Sequence, residues 1–128
     1  MHDKLLYEYS IIRLVPKVER GEFVNIGVIL LVKEKNFLEM KYTLDENRLM
    51  AFSDCIDIDL VRSYLDAWEL ICAGDEKGGK IGSLEIHVRF RWLTANRSTI
   101  IQSAPVHPGF CDDPNEELEK LMSRFVHQ

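Results

Sequence analysis

Polar side chains able to bind or transfer charge gather in two stretches of this chain. The first holds Arg13, Glu19, Asn25 and Gly27. If the segments around Arg13 and Asn25 pair as a hairpin, Arg13 falls close to Asn25 and Gly27 across the ladder, in a register the sequence leaves open. A glycine inside a strand marks a bulge or a close approach by a side chain or ligand. A competing account needs no ligand: Gly27 makes room for a neighbouring aromatic, and Arg13 pairs with Glu19 or Glu22. The second stretch runs from Trp92 to Gly109, W-L-T-A-N-R-S-T-I-I-Q-S-A-P-V-H-P-G. It collects Thr94, Arg97, Ser98, Thr99, Gln102, Ser103 and His107. Arginine offers a planar fork of donors and the hydroxyls add neutral ones, which suits an anion or a polar small molecule. His107 is the candidate general acid/base, histidine being the side-chain type suited to that role near neutral pH. The alternative is an edge strand followed by a Pro-Gly turn capped by Ser and Thr.

Other chemistries fit less well. His107 and Cys111 are spaced H-x3-C beside Asp112 and Asp113, but a closed zinc site needs four ligands, and Cys55 or Cys72 would have to come from distant segments. Cys72 at a helix end and Cys55 in an apolar connection are ordinary places for packed thiols. No metal and no cofactor is expected. A triad of Ser98 or Ser103 with His107 and Asp112 lacks an oxyanion loop and is too local in sequence. No Walker loop, G-x-G-x-x-G, H-E-x-x-H, G-x-S-x-G or EF-hand is present, so nucleotide binding on a glycine-rich loop and zincin-type hydrolysis are disfavoured.

The elements that must position these residues follow from periodicity. Tyr7 to Val15 is rich in β-branched and aromatic residues and predicts a strand stopped by Pro16. Lys17 to Glu22 predicts a long hairpin loop. Phe23 to Val32 is apolar on both faces apart from Asn25 and Gly27, as in a central strand covered on both sides. Phe37 to Tyr42 alternates as a half-exposed strand, completing a meander. Asp45 caps a short helical turn through Phe52. Leu60, Val61, Tyr64, Leu65, Trp68 and Ile71 lie at helical spacing between Asp57 and Cys72, with Asp57 or Asp59 as cap and Gly74 as stop. Gly74 to Gly82 reads as a flexible loop. From Ser83 to Thr94 the apolar residues alternate as in a strand, yet Leu84, Val88 and Trp92 also share a helical face. Ser98 to Ser103 predicts a short strand. Pro114 opens a C-terminal helix with Leu118, Leu121, Met122 and Phe125 as its apolar stripe. The expected class is α+β: an antiparallel sheet of about four strands, starting as a meander, with two to three packed helices.

Composition sets the outer bounds. The chain has 128 residues, 46% hydrophobic and 29% charged, with a net charge of −5. This length suits one domain over residues 1–128. The acidic balance repels phosphate backbones, so nucleic acid is an unlikely partner unless Arg89, Arg91 and Arg97 form a basic stripe. The start, from Met1 to Tyr7, lacks the basic and apolar regions of a secretory leader. The apolar run from Val24 to Val32 is half of what a membrane span needs. Three cysteines, an odd number without a C-x-x-C, fit reduced thiols in the cytoplasm.

The blocks Y-S-I-I-R-L-V-P-K-V-E-R-G-E-F-V-N-I-G-V-I-L and F-R-W-L-T-A-N-R-S-T-I-I-Q-S-A-P-V-H-P-G, with the acidic C-D-D-P, resemble the bacterial domain-of-unknown-function family 3037. The likeness runs from about Tyr7 to Phe125. Positions matching its pattern are Arg13, Pro16, Glu19, Glu22, Asn25, Gly27, Trp92, Arg97, Ser98, Thr99, Gln102, His107 and Gly109. Asn96 stands where many relatives have proline, and Pro108 where threonine is usual. The resemblance implies a helix over Ser83 to Leu93. It also implies a neighbouring gene for a kinase resembling persistence-toxin kinases, and so a binding or accessory module for a protein partner. The alternative is an enzyme or binder of a phosphorylated or anionic small molecule, with Arg13, Arg97 and Thr99 on the anion and His107 moving the proton. Whether the chain is an enzyme stays open at this point.

Overall fold

The computed structural model describes residues 4–127; residues 1–3, where the stretch examined for a leader begins, lie outside them. Strand β1 (Leu5–Leu14) is the centre of the sheet. It pairs antiparallel on one side with β2 (Val24–Val32), which in turn pairs with β3 (Phe37–Tyr42). On its other side β1 carries two short strands end to end, β4 (Ile101–Ser103) and β5 (His107–Cys111). The partner offset along β1 moves by one residue between β4 and β5, so the intervening chain bulges. A second bulge lies between Ile12 and Arg13 in the pairing with β2.

Alternation along these strands sends two sets of apolar side chains to opposite faces. Ile12, Leu14, Ile29 and Leu31 meet α1 (Glu46–Phe52), α2 (Ile58–Ala73) and α4 (Ile86–Leu93) through Leu49, Leu65, Trp68, Phe90 and Leu93. Tyr7, Ile11, Val28, Leu30 and Val32 meet α5 (Pro114–Phe125) through Leu118, Leu121 and Met122. Strand β2 is therefore apolar on both faces because helices cover both. The fold is α+β, with one strand and more helices than the sequence predicts.

Local chemistry explains the boundaries. Asp45, Asp57 and Asp113 each accept a backbone N–H at the start of a helix. Helix α2 ends at Gly74, whose φ of 71° is left-handed. The segment after it is not the expected free loop: it forms a 3-10 turn and the short α3 (Gly79–Gly82). Arg89 helps hold that corner by donating to the carbonyls of Ile71 and Cys72, each at 2.8 Å. The expected strand from Ser98 begins only at Ile101, because the Thr99 hydroxyl and carbonyl are both engaged in a local turn with Ile101 and Gln102.

Strand β5 replaces the expected Pro-Gly turn at His107 to Gly109. The Ile11 carbonyl accepts from Ala104 N–H, so alternate residues Tyr9 and Tyr7 turn their backbone groups toward β5 while Glu8 turns toward β2. Pro108 lies opposite Glu8, and its ring nitrogen therefore faces the free edge, where no ladder bond is lost. Gly109 lies opposite Tyr7, and a Cβ there would overlap the tyrosine ring.

Candidate functional site

The first polar group forms a row across the sheet. Arg13 stands opposite Asn25 on β2 and opposite Gln102 on β4. By alternation from Tyr7 and Ile11, the row shares the face covered by α5. Its members are held in different ways. The Asn25 amide donates to the Phe125 carbonyl at 3.2 Å, and the Gln102 amide to the Thr99 carbonyl at 2.8 Å. The Arg13 guanidinium packs on the Phe23 ring, 4.0 Å from its centroid, a favourable cation–π arrangement. Arg13 Nε and Asn25 Oδ1 are buried without hydrogen-bond partners, each a cost on the order of 1–3 kcal/mol.

The expected carboxylate partners of Arg13 are engaged or turned away. Glu22 is paired with Arg20, and Glu19 is exposed on the 3-10 turn of the hairpin loop. Gly27 does not belong to the row. It lies opposite Ile12 and Tyr42, and a Cβ there would overlap the Lys41 carbonyl and Tyr42 Cβ, so its bareness serves strand packing.

The second polar stretch divides between the two faces. Arg97 lies on the side of α2 and α4, with its guanidinium 5.3 Å from the Trp68 ring and 4.5 Å from the Trp92 ring. It donates to the carbonyls of Trp92 and Leu93, capping α4, and burial pushes its pKa below the ordinary value. Ser103 donates to the same Leu93 carbonyl at 2.7 Å, and Thr94 to the Phe90 carbonyl at 2.9 Å. Ser98 is exposed. Gln102 and His107 fall on the α5 face, His107 exposed with its ring 5.7 Å from that of Tyr9. Arg13 and Arg97 therefore lie on opposite faces of one sheet. A cleft of about 470 Å³ between the hairpin loop and α1 is lined by Lys17, Arg20, Glu22, Met50, Phe52 and Asp54, and by none of Arg13, Arg97 and His107.

The remaining candidate chemistries find little support in geometry. Among the described residues, no group of three His, Cys, Asp or Glu side chains comes together to hold a metal ion. Cys55, expected in an apolar connection, is exposed beside the Ser53 hydroxyl, whereas Cys72 is buried, its thiol pushed up to about 12 by desolvation. The arginines of the possible basic stripe are internally engaged: Arg89 on α2 carbonyls, Arg97 on α4 carbonyls, and Arg91 with Glu8 at 3.7 Å. No helix among the described residues is long and apolar enough to cross a membrane.

The exposure of two groups of apolar side chains escaped sequence reasoning. Leu6 and Phe110 are opposite one another on β1 and β5, on the sheet face away from α5, and are 55% and 64% exposed. Leu84, Val88 and Trp92 line the outer side of the α4 segment. The one available signal was Phe110 beside Pro108 and Gly109, a large apolar residue where a polar turn was expected.

A family model described as a protein of unknown function, DUF3037, matches residues 9–126. The chain belongs to that family. Its match takes in Arg13, Asn25, Gln102, His107 and Phe110, but not Leu6. No curated protein and no solved structure matches the chain.

Proposed function

We propose that this member of the family is a bacterial cytoplasmic binding module that docks a protein partner through Leu6, Phe110 and the outer side of α4. The observation that carries the reading is the Leu6–Phe110 pair: two large apolar side chains, side by side and more than half exposed. Solvating such a pair is unfavourable, and burying it against a partner recovers roughly 25 cal/mol per Å² of apolar surface. The chemistry of the candidate residues points the same way. Among the described residues His107 has no hydrogen-bonded carboxylate to orient it as a general base, and Arg97 is used to cap a helix. The free Cys55, Cys72 and Cys111 suit a reducing compartment. The family resemblance adds the kinase-like neighbour as the first partner to try.

Pro108 makes backbone pairing at the β5 edge a poor route, so docking would rest on side chains. The test compares affinity capture from the native host by the wild type and by the Leu6→Glu/Phe110→Glu double variant. The wild type should retain a stable partner, the kinase-like neighbour first, and the double variant should lose it while its thermal midpoint stays unchanged. Equal recovery by both proteins, or no stable partner for either, would overturn the reading.

A further inference from the structure

The geometry points to Arg13 as a receptor for a carboxylate, gripped end-on by its two Nη groups at the corner where α5 ends. This goes beyond the apolar docking surface, which lies on the opposite face of the sheet, and stands independently of it.

Three observations converge on it. The guanidinium is fixed in place by the Phe23 ring at 4.0 Å, so little side-chain freedom remains to be lost on binding. It has no hydrogen bond or ion pair within the described residues, and of its nitrogens only Nε is buried and unpaired, which leaves the Nη groups as the accessible donors. A cation held rigidly with no counter-charge among the described residues offers a two-donor fork to an acceptor.

The neighbours narrow the acceptor. Each flanking amide, Asn25 and Gln102, donates one of its two N–H groups elsewhere, to the carbonyls of Phe125 and Thr99. A single fork matches the two oxygens of a carboxylate, whereas the third oxygen of a phosphate would need the remaining N–H of Asn25 or Gln102 as its donor. The surrounding charge favours an acid despite the chain's net −5. Arg124 lies over the Phe125 ring at 5.0 Å, and Arg48 reaches the Val126 carbonyl at 3.0 Å. Glu22 is neutralised by Arg20, Asp45 is committed to capping α1, and Glu19 is exposed on the hairpin loop. The acids at the other end of α5, Glu116 and Glu117, lie in its first turn.

The source of the carboxylate, an acidic side chain of a partner or a free small acid, is what the probes separate. Isotope-labelled protein is titrated with sodium acetate, with a capped diglutamate peptide and with inorganic phosphate, following the Arg13 Nε–Hε and the Asn25 and Gln102 amide resonances. Saturable shifts with acetate or the peptide, exceeding those with phosphate, are expected. A tighter response to the peptide assigns the site to a partner's acidic segment, and an equal one to a small acid. Arg13→Met should remove the amide shifts with little change in stability, because losing the unpaired buried donor offsets losing the contact with the Phe23 ring. Gln102→Glu, which supplies an internal carboxylate opposite Arg13, should quench the response with the arginine still present. Equal or tighter binding of phosphate, no saturable shift with any probe, or an unchanged response in Arg13→Met would each overturn the assignment.

Discussion

At the residue scale, the protein spends most of its conspicuous polar groups on itself. Arg89, Arg97, Ser103 and Thr94 all donate to carbonyls at helix ends, where unpaired backbone acceptors need partners. Arginine and hydroxyl density in the sequence therefore reported helix termination as much as ligand binding, and only the three-dimensional placement separates the two uses. Arg13 was legible as unusual because it sits in an apolar strand; its lack of an acidic partner among the described residues was not, since Glu19 and Glu22 are as close in sequence as any partner would be. The buried titrating groups give a pH dependence with a definite sign. Desolvation raises Cys72 from 9.0 to about 12, and desolvation with the Glu69 hydrogen bond raises Tyr42 from 10.0 to about 12. Tyr7, buried and bonded to Glu117 at 2.9 Å, is also raised. A group whose folded pKa lies above its unfolded one stabilises the fold fully below the unfolded value and loses that contribution as pH rises toward the folded one. Stability should thus be flat through neutral pH and fall from about pH 9 to about pH 12. Urea midpoints across that range check it, and Tyr42→Phe together with Cys72→Ala should flatten the decline.

At the element scale, the meander, α1, α2 and α5 were readable because caps and apolar spacing agree there. Three elements were not: α4, β5, and α3, which lies in a glycine-rich stretch that reads as a loop. The segment around α4 alternates and also has helical spacing, and the helical face formed by Leu84, Val88 and Trp92 is the exposed one. The core face is Phe90 and Leu93 with Ile86 packed beside them, which tertiary context alone decides. Strand β5 was hidden by Pro108 and Gly109, two residues that ordinarily mark turns. Each is tolerated for a separate reason: the proline nitrogen faces the free edge, and the glycine lies beneath the Tyr7 ring. That account makes Gly109→Ala the sensitive substitution. The added methyl would push the Tyr7 ring off Glu117, so the variant should lose about 1–3 kcal/mol, as overpacking and a lost buried hydrogen bond do. Chemical denaturation measures the loss. In a Tyr7→Leu background, with the ring gone, Gly109→Ala should cost much less; an equal cost in both backgrounds would refute the packing explanation.

At the scale of the whole molecule, the sheet is a shared wall between two apolar layers of unequal size. Helices α1, α2 and α4 build the larger one and α5 the smaller, and β1 and β2 contribute side chains to both. The smaller layer rests on few residues, with Leu118, Leu121 and Met122 set against Val28, Leu30 and Val32. The Lys41–Glu119 ion pair ties the same helix to β3 at the surface, where such a pair contributes little. A shared wall has a thermodynamic consequence: neither layer can melt without uncovering one face of β2, so the two should unfold together. The tryptophans allow this to be tested, because Trp68 and Trp92 both lie on the side of α2 and α4 and report only that layer. Leu118, fully buried on the opposite face, touches neither layer-specific reporter. Leu118→Ala should cost about 2–5 kcal/mol through lost burial and the cavity left behind. If the layers are coupled, tryptophan fluorescence and far-ultraviolet circular dichroism will give one coincident urea transition in the variant, shifted as a unit from the wild type. If α5 were instead an independently melting cover, the dichroism would lose amplitude at low urea while the fluorescence midpoint stayed in place.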